Sequence, residues 1–328
     1  TIPEGATPRC AIVRVRYHNY TCEHDIFVRQ GYAPITINGN AESNNNPAWT
    51  SYNVYRFDAN NAPVYTKSPL EEGSLFRRGN RTAILASNND RSGFTFGVEP
   101  TGSFNVLEFG SATTSQKTWS QLAPSTDDVT NRFKEWSIAG DHERIATIED
   151  FYTLESTSIH SNINKAYGVL YGDGATETQK LVKEAFGYDH NEDPTNSKKG
   201  MRGCFVFNVN NSRNIFFPIG KSGYGRRKGM TSNGEKVGTL RYAQRTDYYN
   251  NDGTGNIQYV PLFYDLFERP GAIYQCRNRL ESTNNEVKNS SAFDINYFTM
   301  GFEGFENGAS NNNNGSDSDA CFIRTVKY

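Results

Sequence analysis

An α+β chain is expected here on three grounds. The first hundred residues carry short runs in which apolar and polar residues alternate. The middle holds two segments with helix start signals, and beyond Gly200 the short apolar runs return between Asn, Gly and Tyr loops. Alternation is the period of strands, capped apolar stripes are the signature of helices, and their mixture in one chain defines the class. Strands interrupted so often by turn residues build a scaffold for irregular loops, and binding groups are to be sought on those loops.

From Cys10 to Tyr32 the run CAIVRVRYHNYTCEHDIFVRQGY alternates and predicts two half-buried strands. WTSYNVYRF (Trp49 to Phe57), SLFRRG (Ser74 to Gly79), TAILAS (Thr82 to Ser87) and FTFGV (Phe94 to Val98) continue the pattern, punctuated by Pro47, Pro63, Pro69 and Gly73. Thr147 then offers an N-cap to a helix whose third position is Asp150, with Ile148, Phe151 and Leu154 on one face. A second helix is predicted from the capping-box spacing of Thr176 and Gln179. Leu181, Val182, Ala185 and Phe186 supply its buried stripe and Gly187 its stop. After Gly200 the chain reads as strands again, and neither a repeat nor a linker divides it. Residues 1–115 form a β-rich part continuous with the remaining 116–328.

A length of 328 residues allows a proper core without covalent staples. The formal net charge of -2, with Lys and Arg scattered among acids, offers no electrostatic footprint for nucleic acid or for an anionic membrane surface. No apolar run approaches the roughly 20 residues of a membrane span, so direct membrane insertion is not expected. A mean hydropathy of -0.70 is low for a globular chain, yet 13% aromatic residues are too many for a disordered one, which suits a loop-rich extracellular protein. Asparagine outnumbers lysine and arginine together, which total 34, and it crowds into Asn38 to Asn46, Tyr249 to Asp252 and Asn307 to Asp319, as in surface loops or flexible tips. The chain opens on Thr1, as after removal of a leader or in a shortened chain. Cys10, Cys22, Cys204, Cys276 and Cys321 are odd in number and lack zinc spacing. Buried thiols and one or two bridges are both open, and Cys10 with Cys321 is the first pair to test, since each opens a strand.

Catalytic signatures are sparse. Gly220-Lys221-Ser222 ends like a phosphate-binding loop, but the required glycine five residues earlier is Ile215. Gly223, Gly225 and Gly229 miss the dinucleotide spacing and read as turn glycines. His18, Cys22 and His24 would share one face of a strand, where a polar sheet face is the simpler reading than a metal site. Glu143, Glu149, Asp150 and Glu155 read as capping and solvated carboxylates rather than a glycosidase pair. No cofactor and no metal are expected. What stands out is a display of aromatic, arginine and amide side chains: Tyr274, Arg277, Asn278, Arg279, Asn296, Tyr297, Phe298, Phe302, Glu303, Phe305 and Asn307. Tyr and Arg give large, stiff contacts and Asn both donors and acceptors, the composition of adaptable binding surfaces, although Phe298 and Phe302 also suit a strand core.

At three places the chain resembles a family. IFFPIGKSGYGRRKG (Ile215 to Gly229) is similar to the FFP-x-x-G-Y-R signature of the bacterial C-type-lectin-like domains of Bacteroidetes and Fibrobacter surface proteins. ERIATIEDFYTL (Glu143 to Leu154) is similar to their helix start, and CFIRTVKY to their closing strand. The Cys-Pro-x-Gly-Trp that precedes the helix in that family is absent here, where Ala139, Gly140 and Asp141 stand. AFDINYFTMGFEGF together with DACFIRTVKY further resembles the variable proteins of diversity-generating retroelements, including pilus-tip adhesins. The resemblance implies a C-type-lectin-like α+β domain with small antiparallel sheets, two flanking helices, long ordered loops, and first and last strands paired. The calcium triplets of animal lectins are missing; Glu99-Pro100-Thr101 fails at its third place.

By that resemblance the chain is expected to be a non-enzymatic adhesin, extracellular on a bacterial surface or pilus tip. It would bind a host or neighbour-cell glycan or protein receptor through residues 272–307, with pilus subunits as further partners. A phage tail-fibre receptor-binding protein of the same fold is the alternative, and a glycan-active enzyme a third reading.

Overall fold

The five residues after Thr147 wind into the helix that its capping spacing predicts, and the elements around it are strands. The structure is a computed structural model that describes residues 9–77, 79–86, 101–123, 138–140, 142–154, 162–171, 201–218, 237–238, 240–241, 271–277, 288–296, 300–306 and 320–328. The expected strand at Phe94 to Val98 and the expected helix from Thr176 lie outside these residues, as does Glu155.

The chain begins with a hairpin of β1 (Arg9–Tyr17) and β2 (Cys22–Gln30), registered so that Val13 faces Ile26 and Arg14 faces Asp25. Next come β3 (Ala48–Trp49) and a ribbon of β4 (Val54–Phe57) with β5 (Pro63–Tyr65). Then β6 (Ser74–Arg77), β7 (Ala83–Leu85), β8 (Ser103–Leu107) and β9 (Thr114–Thr118) form an antiparallel meander. Strand β10 (Glu143–Ile145) leads into α1 (Ile148–Tyr152). There the Thr147 side chain accepts from the Asp150 N–H and the Asp150 carboxylate accepts from the Thr147 N–H at 2.8 Å, closing the capping box.

The antiparallel sheet of β11 (Ile163–Leu170), β12 (Met201–Asn208) and β13 (Asn214–Pro218) follows, with Gly203 opposite Pro218. A Cβ at Gly203 would stand 2.1 Å from the Phe216 ring, so only glycine lets that ring lie across β12. The small pair β14 (Val237–Gly238) and β15 (Leu240–Arg241) precedes a sheet of β16 (Gly271–Gln275), β17 (Lys288–Asn296) and β18 (Met300–Glu306). The chain ends with β19 (Ala320–Cys321), which joins the meander beside β6, and β20 (Thr325–Lys327), which lies between β10 and β3.

The last strand therefore pairs with Ala48–Trp49 and with Glu143–Ile145, whereas β1 pairs with β2. The first and last strands, expected to pair with each other, do not: β1 lies beside β2, and β20 lies between β10 and the short β3 that follows the hairpin. Cys10 and Cys321 consequently stand on separate sheets, and none of the five cysteines forms a disulfide. No helix among the described residues is long and apolar enough to cross a membrane.

One buried cluster draws on the whole length of the chain: Ile35, Trp49, Leu75 and Phe104 pack with Phe151, Phe217, Tyr274, Phe322 and Val326. Its rings touch in sequence, Trp49 to Phe151 at 5.0 Å, Trp49 to Phe217 at 5.9 Å, Phe217 to Tyr274 at 5.3 Å and Tyr274 to Phe322 at 5.9 Å. Edge and tilted contacts of this kind add to the area each ring removes from water. A second cluster, Val54, Phe57, Phe76, Leu107, Ile145 and Ile323, joins the meander to the closing strands, and a third of Met201, Phe205, Phe207 and Phe216 carries the root of the hairpin.

Candidate ligand-binding face

The expected binding segment starts inside the core. Tyr274, Gln275 and Cys276 are buried on or just after β16, and a parallel bridge joins Tyr274 to Phe322, with the Gln275 N–H donating to the Phe322 carbonyl at 2.9 Å. Two residues on, the Arg277 N–H donates to the Ala146 carbonyl at 2.9 Å, so the chain is fixed against the residue that leads into α1 as its burial falls.

Tyr274 is fully enclosed, which corrects its place among the ligand-binding residues: its ring is core. Asn53 Nδ2 donates to its hydroxyl at 3.1 Å, and the hydroxyl donates to the Pro218 carbonyl at 3.3 Å. Burial pushes the phenol above the usual tyrosine range, against the opposing pull of Arg324 and the Asn53 hydrogen bond.

Arg324 is the second member of this centre and is itself fully buried. Its Nε donates to Asn53 Oδ1 at 2.9 Å, one terminal nitrogen to the Thr50 carbonyl at 2.9 Å and the other to the Phe216 carbonyl at 3.0 Å. Its guanidinium lies 4.7 Å from the centre of the Phe217 ring. Burial lowers its pKa, with Tyr274 acting in the opposite sense. Carbonyl dipoles and ring faces thus replace water around the charge, and one side chain ties the closing strand to β13, to the turn before β4 and to β16. Neither Asn53 nor Arg324 was among the residues singled out from sequence, because an arginine in a closing strand ordinarily reads as a solvated edge.

Beyond β16 the backbone register places other members of the set. Asn296 closes β17 opposite Gly271. On β18, Phe302 stands opposite Phe293, Glu303 opposite Ala292 and Phe305 opposite Ser290, with a register shift between Lys288 and Ser290. Tyr274 also pairs with Phe293, so Tyr274, Phe293 and Phe302 occupy one level across the three strands. Asn278, Arg279, Tyr297, Phe298 and Asn307 lie outside the described residues. Asn296, Phe302, Glu303 and Phe305 are thus brought to the sheet that grows from the sealed centre.

Asp150, besides capping α1, accepts from both terminal nitrogens of buried Arg144, one of them at 3.0 Å. Glu143 accepts from the Thr325 hydroxyl at 2.8 Å, and Glu149 is exposed. His18 sits in the hairpin turn with φ 52°, off the strand face shared by Cys22 and His24, and no three His, Cys, Asp or Glu side chains gather among the described residues. The Asn38 to Asn46 loop is stitched by its own amides. Asn38 Nδ2 donates to Asn46 Oδ1 at 2.6 Å, and Asn46 Nδ2 to the Ala41 carbonyl at 2.9 Å.

The hairpin departs from expectation in one respect. Cys10, Phe27 and Arg29 turn one face toward the body: Phe27 meets Phe205 at 4.9 Å, and Arg29 donates to Asn214 Oδ1 at 2.8 Å. The more apolar face is the exposed one. Comparison with known proteins returned no matching family model, no matching curated protein and no matching solved structure.

Proposed function

We propose that this protein is a non-enzymatic ligand-binding adhesin of a bacterial surface or pilus tip, which engages a glycan or protein receptor through residues 272–307. The observation that supports this reading is the join between the sealed centre and that segment. Tyr274, Asn53 and Arg324 immobilise β16, and from half-buried Arg277 onward the sequence is rich in Tyr, Phe, Asn and Arg. Contacts made from a rigid base lose less conformational entropy on binding, which is what an adaptable polar and aromatic surface needs to reach useful affinity. The retroelement resemblance implies that sequence in this stretch would differ between copies of the gene while the core residues stay fixed.

Sequencing the gene and its flanks from several isolates tests this reading. Substitutions concentrated between the codons of Ala272 and Asn307, with a near-copy of that stretch close by, are expected. An invariant segment without a near-copy, together with blank glycan and receptor screens of folded protein, would overturn it.

A further inference from the structure

The β1–β2 hairpin carries an apolar face that its own chain leaves open. In its register Ala11 faces Val28, Val13 faces Ile26, Val15 faces His24 and Tyr17 faces Cys22; directly opposed residues share a side of the sheet. On that side Val13 and Ile26 are each 49% exposed, Val28 57% and Tyr17 47%. The reverse side bears Arg14, ion-paired with Asp25 at 2.8 Å, with Arg16 and Glu23 in the next register pair, and its root rests on Phe205 and Phe207. One side is thus docked at its root and charged beyond it, while the other is apolar and, among the described residues, uncovered.

We propose that this face is where two copies of the chain meet, their hairpins packing face to face as two layers. Two points select a second copy, and the area sets how strongly it is held. A two-fold contact brings a patch against itself, which demands that the patch hold no like charges to oppose; between the Arg9–Gln30 pair at the root and the tip, this face carries no Lys, Arg, Asp or Glu. A two-stranded hairpin is marginal alone, and an identical layer supplies the missing half of a small sandwich core. The exposed side chains amount to about 400 Å² per copy, against roughly 800 Å² for a standard interface, so the association is weak and dependent on concentration. The inference is independent of the ligand-binding reading.

Sedimentation velocity on the full chain, from about 1 to 100 μM, tests it. A shift from monomer to dimer across that range is expected, and added salt should not weaken it, since no charge pair is formed. Val13→Lys and, nearer the tip, Tyr17→Lys should each move the midpoint at least about tenfold higher. Arg14→Gln on the reverse side should leave it in place. A chain that stays monomeric to the top of the range overturns the proposal, as does a dimer that either folded lysine variant leaves unchanged.

Discussion

Arg324 places a guanidinium at the centre of the molecule and satisfies it with Asn53, two backbone carbonyls and the face of Phe217. Removing such a group leaves the acceptors unpaired and a void behind. Arg324→Ala is therefore expected to cost about 3 kcal/mol or more, and Arg324→Met, which restores volume but no donors, somewhat less. Urea unfolding of both variants checks the order, and a Met variant as stable as the native chain would show the hydrogen bonds to be dispensable. Tyr274 adds a pH signature. Its phenol is held above the usual range by burial, so its contribution is whole below the unfolded tyrosine value of about 10 and drains away as pH climbs toward the folded value. The stability advantage of the native chain over Tyr274→Phe should shrink as pH rises above the unfolded tyrosine value of about 10, with Arg324 common to both proteins. A flat difference above that value would mean that the phenol ionises without hindrance inside the folded protein.

Local rules carried the elements well where one residue decides. Thr147 and Asp150 have the spacing of a capping box, and the structure closes it; the alternation from Cys10 to Tyr32 becomes two strands with the turn where the polar residues cluster. Asp150 also illustrates what spacing cannot reveal, because its second partner, Arg144, lies on the preceding strand and is buried with it. Asp150→Asn keeps an acceptor for the cap but strands the Arg144 charge, and a loss of about 3 kcal/mol in thermal or urea unfolding is expected. Periodicity gives the face of a strand but not what lies against it. The alternation from Cys10 to Tyr32 predicts half-buried strands without saying which face is covered, and in the structure β1 is exposed at every position but Cys10 while Phe27 and Arg29 meet the body. Nor does a glycine in a strand announce the ring above it. Gly203→Ala should cost about 2 to 3 kcal/mol through the displaced Phe216, although alanine favours most backbones over glycine. A neutral effect would mean that the ring rotates away freely.

Across the whole molecule, residues from Ile35 to Val326 share one core, so the segment that begins at Ala272 is built on material from both ends of the chain. The candidate site was legible in sequence as composition, but its boundary was not. Tyr274 and Arg277 look alike as recognition residues, and only long-range contacts with Asn53, Pro218 and Ala146 show that the first is fully enclosed and the second half-buried with its backbone held to the body. This division predicts how mutations split between stability and binding. Phe217→Ala opens a void among Trp49, Phe151 and Tyr274 and should cost about 3 to 5 kcal/mol. Tyr274→Ala should fall in the same range. Arg277→Ala and Tyr297→Ala should change the melting temperature by no more than a few degrees while weakening receptor binding about tenfold or more. The two readouts must be taken on the same preparations, since a core variant that unfolds also stops binding. Binding lost in proportion to stability in all four variants would make the segment a part of the core, whereas loss of binding confined to Arg277→Ala and Tyr297→Ala would mark it as the face that meets the ligand.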